Sequence, residues 1–200
     1  MSKRGPSSLR EQSKSQTRQA IIEAAVACFS KAGLDAPSLD AICAQAGCTR
    51  GAFYVHFKNR DALIAAAMTE RRGAVLSTML SAPPGSLSIP ELLSQFGLAV
   101  ERGAFPLPGA VRSGELLSAC RRSPTIQKTQ AKLVKQTLQL LEQHAAAGKK
   151  SGALRPDVQD AALATLLLVL EAGTELLLDL GLRLDFGAAA RSLARLVEPP

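Results

Sequence analysis

The sequence predicts an all-α protein in two parts: a three-helix head containing a helix–turn–helix, followed by a helical bundle. Three observations predict it. Apolar residues make up 46% of the 200 residues and aromatics only 4%, so the core is built mainly from Leu and Ala, both strong helix formers. No run of alternating β-branched residues reads as a strand. The net charge of +7 is also uneven: residues 1–72 hold eleven Lys/Arg against six acids, and the remainder is close to neutral. That asymmetry suits a nucleic-acid reader joined to a domain of another kind, although a solvated basic surface explains the charge alone equally well.

Taken in order, residues 1–16 are polar and basic with one acid, Glu11, and read as a flexible arm able to touch a DNA backbone or minor groove. They contain no apolar stretch of the kind a secretory leader needs, so a cytoplasmic location is expected. A first helix is expected from about Arg18 to Lys31, capped by Thr17 and stopped at Gly33. Ile22, Ala25, Val26 and Phe29 recur at helical spacing along its buried face.

The stretch from Ser38 to Asn59, SLDAICAQAGCTRGAFYVHFKN, carries most of the functional information. Ser38 can cap a short helix whose apolar residues are Leu39, Ile42, Cys43 and Ala46, and Gly47 can take the positive φ that ends it. Thr49 can then cap a second helix, in which Ala52, Phe53, Val55 and Phe57 pack or face a groove by turn. Two short helices meeting at a Gly form many αα-hairpins, but this arrangement also places a second helix in a DNA major groove. The side chains favour the latter. Thr49, Arg50, Tyr54, His56, Lys58 and Arg60 are all phosphate or base-edge partners within twelve residues.

The segment TRGAFYVHFKNRDAL resembles the recognition helix and next helix start of the TetR family of bacterial transcriptional regulators. TRQAIIEAAVACFSKAGLDAPSLDAICAQAGC resembles the first two helices of the same module, so the likeness spans residues 17–70. It implies that Arg50, Gly51 and Ala52 face base edges, that Tyr54 and His56 meet the DNA backbone, and that Lys58 and Arg60 lie near phosphates. The chemistry agrees. Arg50 can bridge O6 and N7 of a guanine, Gly51 and Ala52 allow close approach or contact with a thymine methyl, and Ser38 and Thr17 can donate to phosphates from helix starts. Cys43, Cys48 and Leu34 depart from the family's usual residues but keep size and apolarity.

Residues 71–200 are expected to form a ligand-binding and dimerisation body. A fourth helix, about Arg60 to Leu80, joins it to the head, and in the resembled family its tilt transmits ligand binding. Residues 81–90 form a break, and a helix over 91–103 is followed by a Pro-rich interruption at 105–109. Further helices are expected over 110–121 and 125–147, with GKKSGALRP as a basic loop. Residues 157–180 hold the most apolar helix. Its longest uncharged run, Ala161–Leu170, is too short for the twenty or so residues of a membrane span. Acids at 171, 175 and 179 leave an apolar arc of about 240°, more than one buried face needs.

With the last helix, 186–197, that surplus predicts an interface with a second copy through Leu163, Leu166, Leu167, Leu170, Leu177, Phe186, Leu193 and Val197, unless it encloses a large internal core. Phe96 and Leu138 are candidates to line a ligand site, though core packing explains them equally. With few aromatics and no Trp, a small apolar effector is favoured over a flat aromatic one.

No chemistry of catalysis is visible. Only two histidines occur, the four cysteines lack C-x-x-C spacing, and HAAAGKKSG has Gln143 where a phosphate loop needs its first Gly. Neither a metal site nor a cofactor is expected. The reading is a homodimeric regulator, most simply a repressor, that binds an inverted-repeat DNA operator and is released by a small molecule. The alternatives are a helical adaptor without DNA binding, or a TetR-like activator or effector-independent regulator.

Overall fold

The computed structural model describes residues 6–79, 91, 111–182 and 185–199, and every regular element among them is a helix. The head comprises α1 (Pro6–Ala32), α2 (Leu39–Gln45) and α3 (Arg50–His56), and α4 (Arg60–Met79) leads out of it. Beyond it lie α5 (Ser113–Arg122), α6 (Pro124–Ser151), α7 (Asp160–Asp179) and α8 (Phe186–Val197). The expected features over 81–90 and 92–110, including Phe96, lie outside the described residues.

Two expectations at the chain's start are corrected. The first helix begins at Pro6, so residues 6–16 continue it and do not form an arm. Proline suits a first turn because its missing N–H has no partner there in any case, and SSLREQSKSQ contains nothing to break a helix. Thr17 therefore caps nothing. It sits mid-helix, its hydroxyl donating to the Ser13 carbonyl at 3.0 Å.

The head's core is built from Ile21, Ile22, Ala25 and Phe29 of α1, Ile42 of α2, Phe53 of α3, and Leu63, Ile64 and Ala67 of α4. The same cluster runs on through Val111, Leu116, Ala119, Ile126 and Leu133, so α5 and the first half of α6 pack directly on the head. A second cluster, Leu141, Ala145, Leu154, Leu163, Ala164, Leu167 and Val197, joins the far half of α6 to α7 and α8.

Helix α6 also corrects the expected loop at GKKSGALRP, since it runs to Ser151 before ending at Gly152. Gly148 is there for packing: a Cβ on it would lie 3.0 Å from the Leu154 side chain, which folds back over the helix. Lys149 is tied by a 2.8 Å ion pair to Asp160 at the start of α7.

The expected interface residues divide. Leu163, Leu167 and Val197 are buried in the chain's own second core, and Leu193 packs partly against it, as does the ligand-site candidate Leu138. Leu166, Leu170 and Leu177 remain exposed. A 240° arc holds both a core face and an outer face, so spacing alone could not separate them. Val169, Leu176, Leu180, Leu182 and Leu196 extend the outer face. By length and composition α7 could cross a membrane, but it packs along α6, and Asp179 at its far end accepts the Ser113 N–H at 2.9 Å.

The turn after α1 is held from the body. Gly33 takes φ +80° and donates to the Phe29 carbonyl at 2.8 Å, ending the helix in the left-handed region. Glu115 of α5 accepts the N–H of Leu34 at 2.6 Å and of Asp35 at 3.3 Å, while Arg122 grips both oxygens of Asp35 at 2.9 and 3.0 Å. A Cβ on Gly33 would meet the Glu115 carboxylate at 2.8 Å. Gly33→Ala should therefore cost about 1–3 kcal/mol, combining a strained φ with a displaced Glu115, as read from the urea midpoint.

Candidate nucleic-acid interface

The reading unit is α2, its turn and α3. Ser38 Oγ accepts the Ala41 N–H at 3.1 Å, so the first cap forms as expected. At the other end Gly47 takes φ +64°, and Cys48 N–H returns to the Cys43 carbonyl at 3.0 Å, satisfying the last carbonyls of α2. Thr49 Oγ1 then accepts the Ala52 N–H at 3.1 Å and fixes where α3 begins.

The face α3 presents is set by what it hides. Phe53 is fully buried and Phe57 nearly so, with ring centroids 5.6 Å apart. Two phenylalanines four apart on one side force Gly51, Tyr54 and Val55 outward, with Thr49 and Arg50 beside them at the helix start and Lys58 just beyond its end. Tyr54 meets Phe53 edge to face at 5.2 Å while remaining 57% exposed. Val55, at 65% exposed, belongs to the outer face. Its projection about 200° from Phe53 on the helical wheel was the available signal.

Arg50 is held before any DNA arrives. Its guanidinium lies 2.5 and 3.0 Å from the two oxygens of Asp40 on α2, and both side chains are mostly exposed. The planar fork that grips a carboxylate is the same one that bridges a guanine edge, so reading a base means exchanging partners. An exposed pair of this kind is worth only about 0.2–1 kcal/mol, and the exchange is cheap.

Arg60 is corrected. Its guanidinium donates to the Leu34 carbonyl at 2.6 Å and sits 5.5 Å from the centre of the Phe29 ring, which makes it a brace between α4 and the α1–α2 turn. Thr17, no longer at a helix start, has no free N–H groups beside it to offer a phosphate. A residue missed in the sequence is Arg18, exposed and stacked 5.2 Å from the Phe57 ring centre. His56 is half-buried next to it. Burial first, then the cations of Lys14 and Arg18, holds the His56 imidazole below its usual value of 6.5. Cys43 lies in the head's core and Cys120 packs against it, and burial is the leading cause that raises both thiols, away from thiolate.

Comparison with known proteins locates the likeness. Residues 21–67 match the family described as bacterial regulatory proteins, tetR family. Fifty-three residues, 26% of this chain and 25% of the relative, are 43% identical to the HTH-type transcriptional regulator AcrR of Shigella flexneri. The chain spans only 22–42% of the length of the curated relatives it matches, all of them regulators and none an enzyme. Among solved structures, a TetR family regulator from Cytophaga hutchinsonii superposes with a TM-score of 0.76 at 21% identity, covering 94% of this chain and 98% of that one. A regulator from Saccharomonospora viridis in complex with choline gives 0.66 at 19% identity, over 92% and 100%. At these identities the structures share the fold.

Two measurements probe the surface. Asp40→Asn frees Arg50 and removes an acid from a face meant for phosphates, so affinity for DNA of arbitrary sequence should rise about two- to fivefold at low salt, the range an exposed pair covers. For His56 the two signs oppose each other. Because its folded value is lowered, stability is full above the ordinary value and declines as pH falls below it. A nearby phosphate favours the imidazolium, so DNA affinity should climb over the same fall in pH. His56→Gln should flatten both trends in melts and binding isotherms compared at about pH 6 and 8.

Proposed function

We propose that this chain, whose residues 21–67 match the tetR family of bacterial regulatory proteins, is a ligand-responsive transcriptional repressor that binds an inverted-repeat operator as a homodimer. The observation that carries the reading is the outer face of the reading unit: Ser38, Thr49, Arg50, Gly51, Tyr54 and Lys58, all exposed and all fixed in register by two caps and the buried Phe53. Lys58 and Ser38 suit phosphates, while Arg50 and Gly51 suit base edges.

Pairing is supported by the outer apolar face of α7, where Leu166, Val169, Leu170 and Leu177 remain in water in the single chain. Two copies joined there through a two-fold axis would set two recognition helices about 34–36 Å apart, one turn of DNA. A small-molecule effector fits the body by analogy with the choline-bound neighbour, which shares the fold. Two physical links lead from body to head: the continuous helix α4, and the grip of Glu115 and Arg122 on the α1–α2 turn. A ligand that shifts α5 would move that turn, and a coupling of about 1–3 kcal/mol is enough for a 5–150-fold loss of operator affinity.

The test is retardation of DNA taken from upstream of the chain's own gene, alongside sedimentation. The protein should shift the DNA at low salt and sediment as a dimer at micromolar concentration. Leu170→Glu should yield a folded monomer whose operator affinity drops by about two orders of magnitude, since the second half-site is lost. No shift by the parent protein ends the regulatory reading, and a parent that sediments as a monomer ends the two-fold one.

A further inference from the structure

We propose that His144 is the polar anchor for the effector, and that the ligand it selects is a largely apolar molecule with one hydrogen-bond donor, such as a hydroxyl. The inference rests on the effector reading above and gives it a chemical class.

His144 lies on α6 between Leu141 and Ala145 of the second core, and is only 8% exposed. Its neighbours along the buried stripe are Thr137, Leu141 and Gly148, at i−7, i−3 and i+4. Nδ1 lies 2.9 Å from the carbonyl oxygen of Leu140. A carbonyl can only accept, so Nδ1 carries the ring proton and Nε2 presents a bare lone pair. That nitrogen is buried and has no hydrogen-bond partner among the described residues.

An orphaned acceptor in an interior is costly, and buried polar side chains are nearly always paired. The contrast within the same helix is direct, because the hydroxyl of buried Thr137 is satisfied by the Leu133 carbonyl at 3.0 Å. Leucine would fill the position of His144 with no orphaned atom. A buried acceptor of this kind calls for a group that donates to it. Leu141 and Ala145 beside it are apolar, so the molecule that completes Nε2 must bury hydrocarbon around a single O–H or N–H.

The probes are matched pairs of straight-chain alcohols and their methyl ethers, six to ten or so carbons long, with the carboxylate of each length. Binding to the full chain is followed by thermal shift and calorimetry. In the parent protein an alcohol of the panel should bind about tenfold more tightly than its ether, the value of one hydrogen bond. His144→Leu should melt higher without ligand and bind alcohol and ether alike. His144→Gln, which returns an acceptor near Nε2, should restore part of the preference.

Equal affinities for alcohol and ether in the parent, or no response to any alcohol, would overturn the assignment. So would a preference that survives in His144→Leu, or a carboxylate that binds better than the alcohol. These measurements use no DNA, so they stand apart from the retardation test. His144→Leu should still shift the operator, and a parent protein that binds alcohols through His144 without shifting DNA would fail the regulatory reading alone.

Discussion

The burial of the Phe53 ring is the constraint from which the rest of the head follows. It is wholly excluded from water, at the meeting point of α1, α2 and α4, and it leans on Phe57 one turn later. Once that side of a seven-residue helix is committed to the core, every other side chain on α3 has its direction assigned. The helix is too short to hold itself together. Its stability is borrowed from the core through one ring, so the geometry of the reading surface is only as fixed as the packing beneath it.

The head is not an independent module on a hinge. Its core continues through Leu116 and Ala119 of α5 into Ile126 and Leu133 of α6, and the polar grip of Glu115 on Leu34 lies at the edge of that seam. Arg60 reaches the same residue from the other side, donating to the Leu34 carbonyl, so one peptide segment is held by groups from α4 and from α5. Any displacement of α5 relative to α4 must be absorbed by the turn between α1 and α2. That is the segment that orients Ser38 and the start of α2.

Much of this was legible in the sequence, for physical reasons that differ by region. The caps at Ser38 and Thr49 and the turn at Gly47 are local chemistry, and they formed where side-chain type and spacing placed them. The residues that misled did so because their partners are distant. Arg60 reads as one more cation in a basic run, and nothing nearby shows that Leu34, 26 residues earlier, offers it a carbonyl. Glu115 was invisible as a clamp for the same reason, with its contacts about eighty residues away. On α7 the wide apolar arc gave no phase, so Leu163 and Leu166 looked alike although one is core and the other surface. The Gly148 segment looked like a loop by composition, and only the return of Leu154 explains its glycine.

Helix α6 belongs to both cores. Its 28 residues make a rod of about 42 Å, with Ile126 and Leu133 in the head's cluster and Leu141 and Ala145 in the other. Melting either cluster strips one half of that rod of its packing, and a helix so stripped is marginal in water. The two clusters are therefore coupled through one helix, and residues 17–70 cut away from α5 and α6 would leave the seam around Leu34 and Ile64 open to solvent. The sequence divides at the fourth helix, and the packing crosses that division.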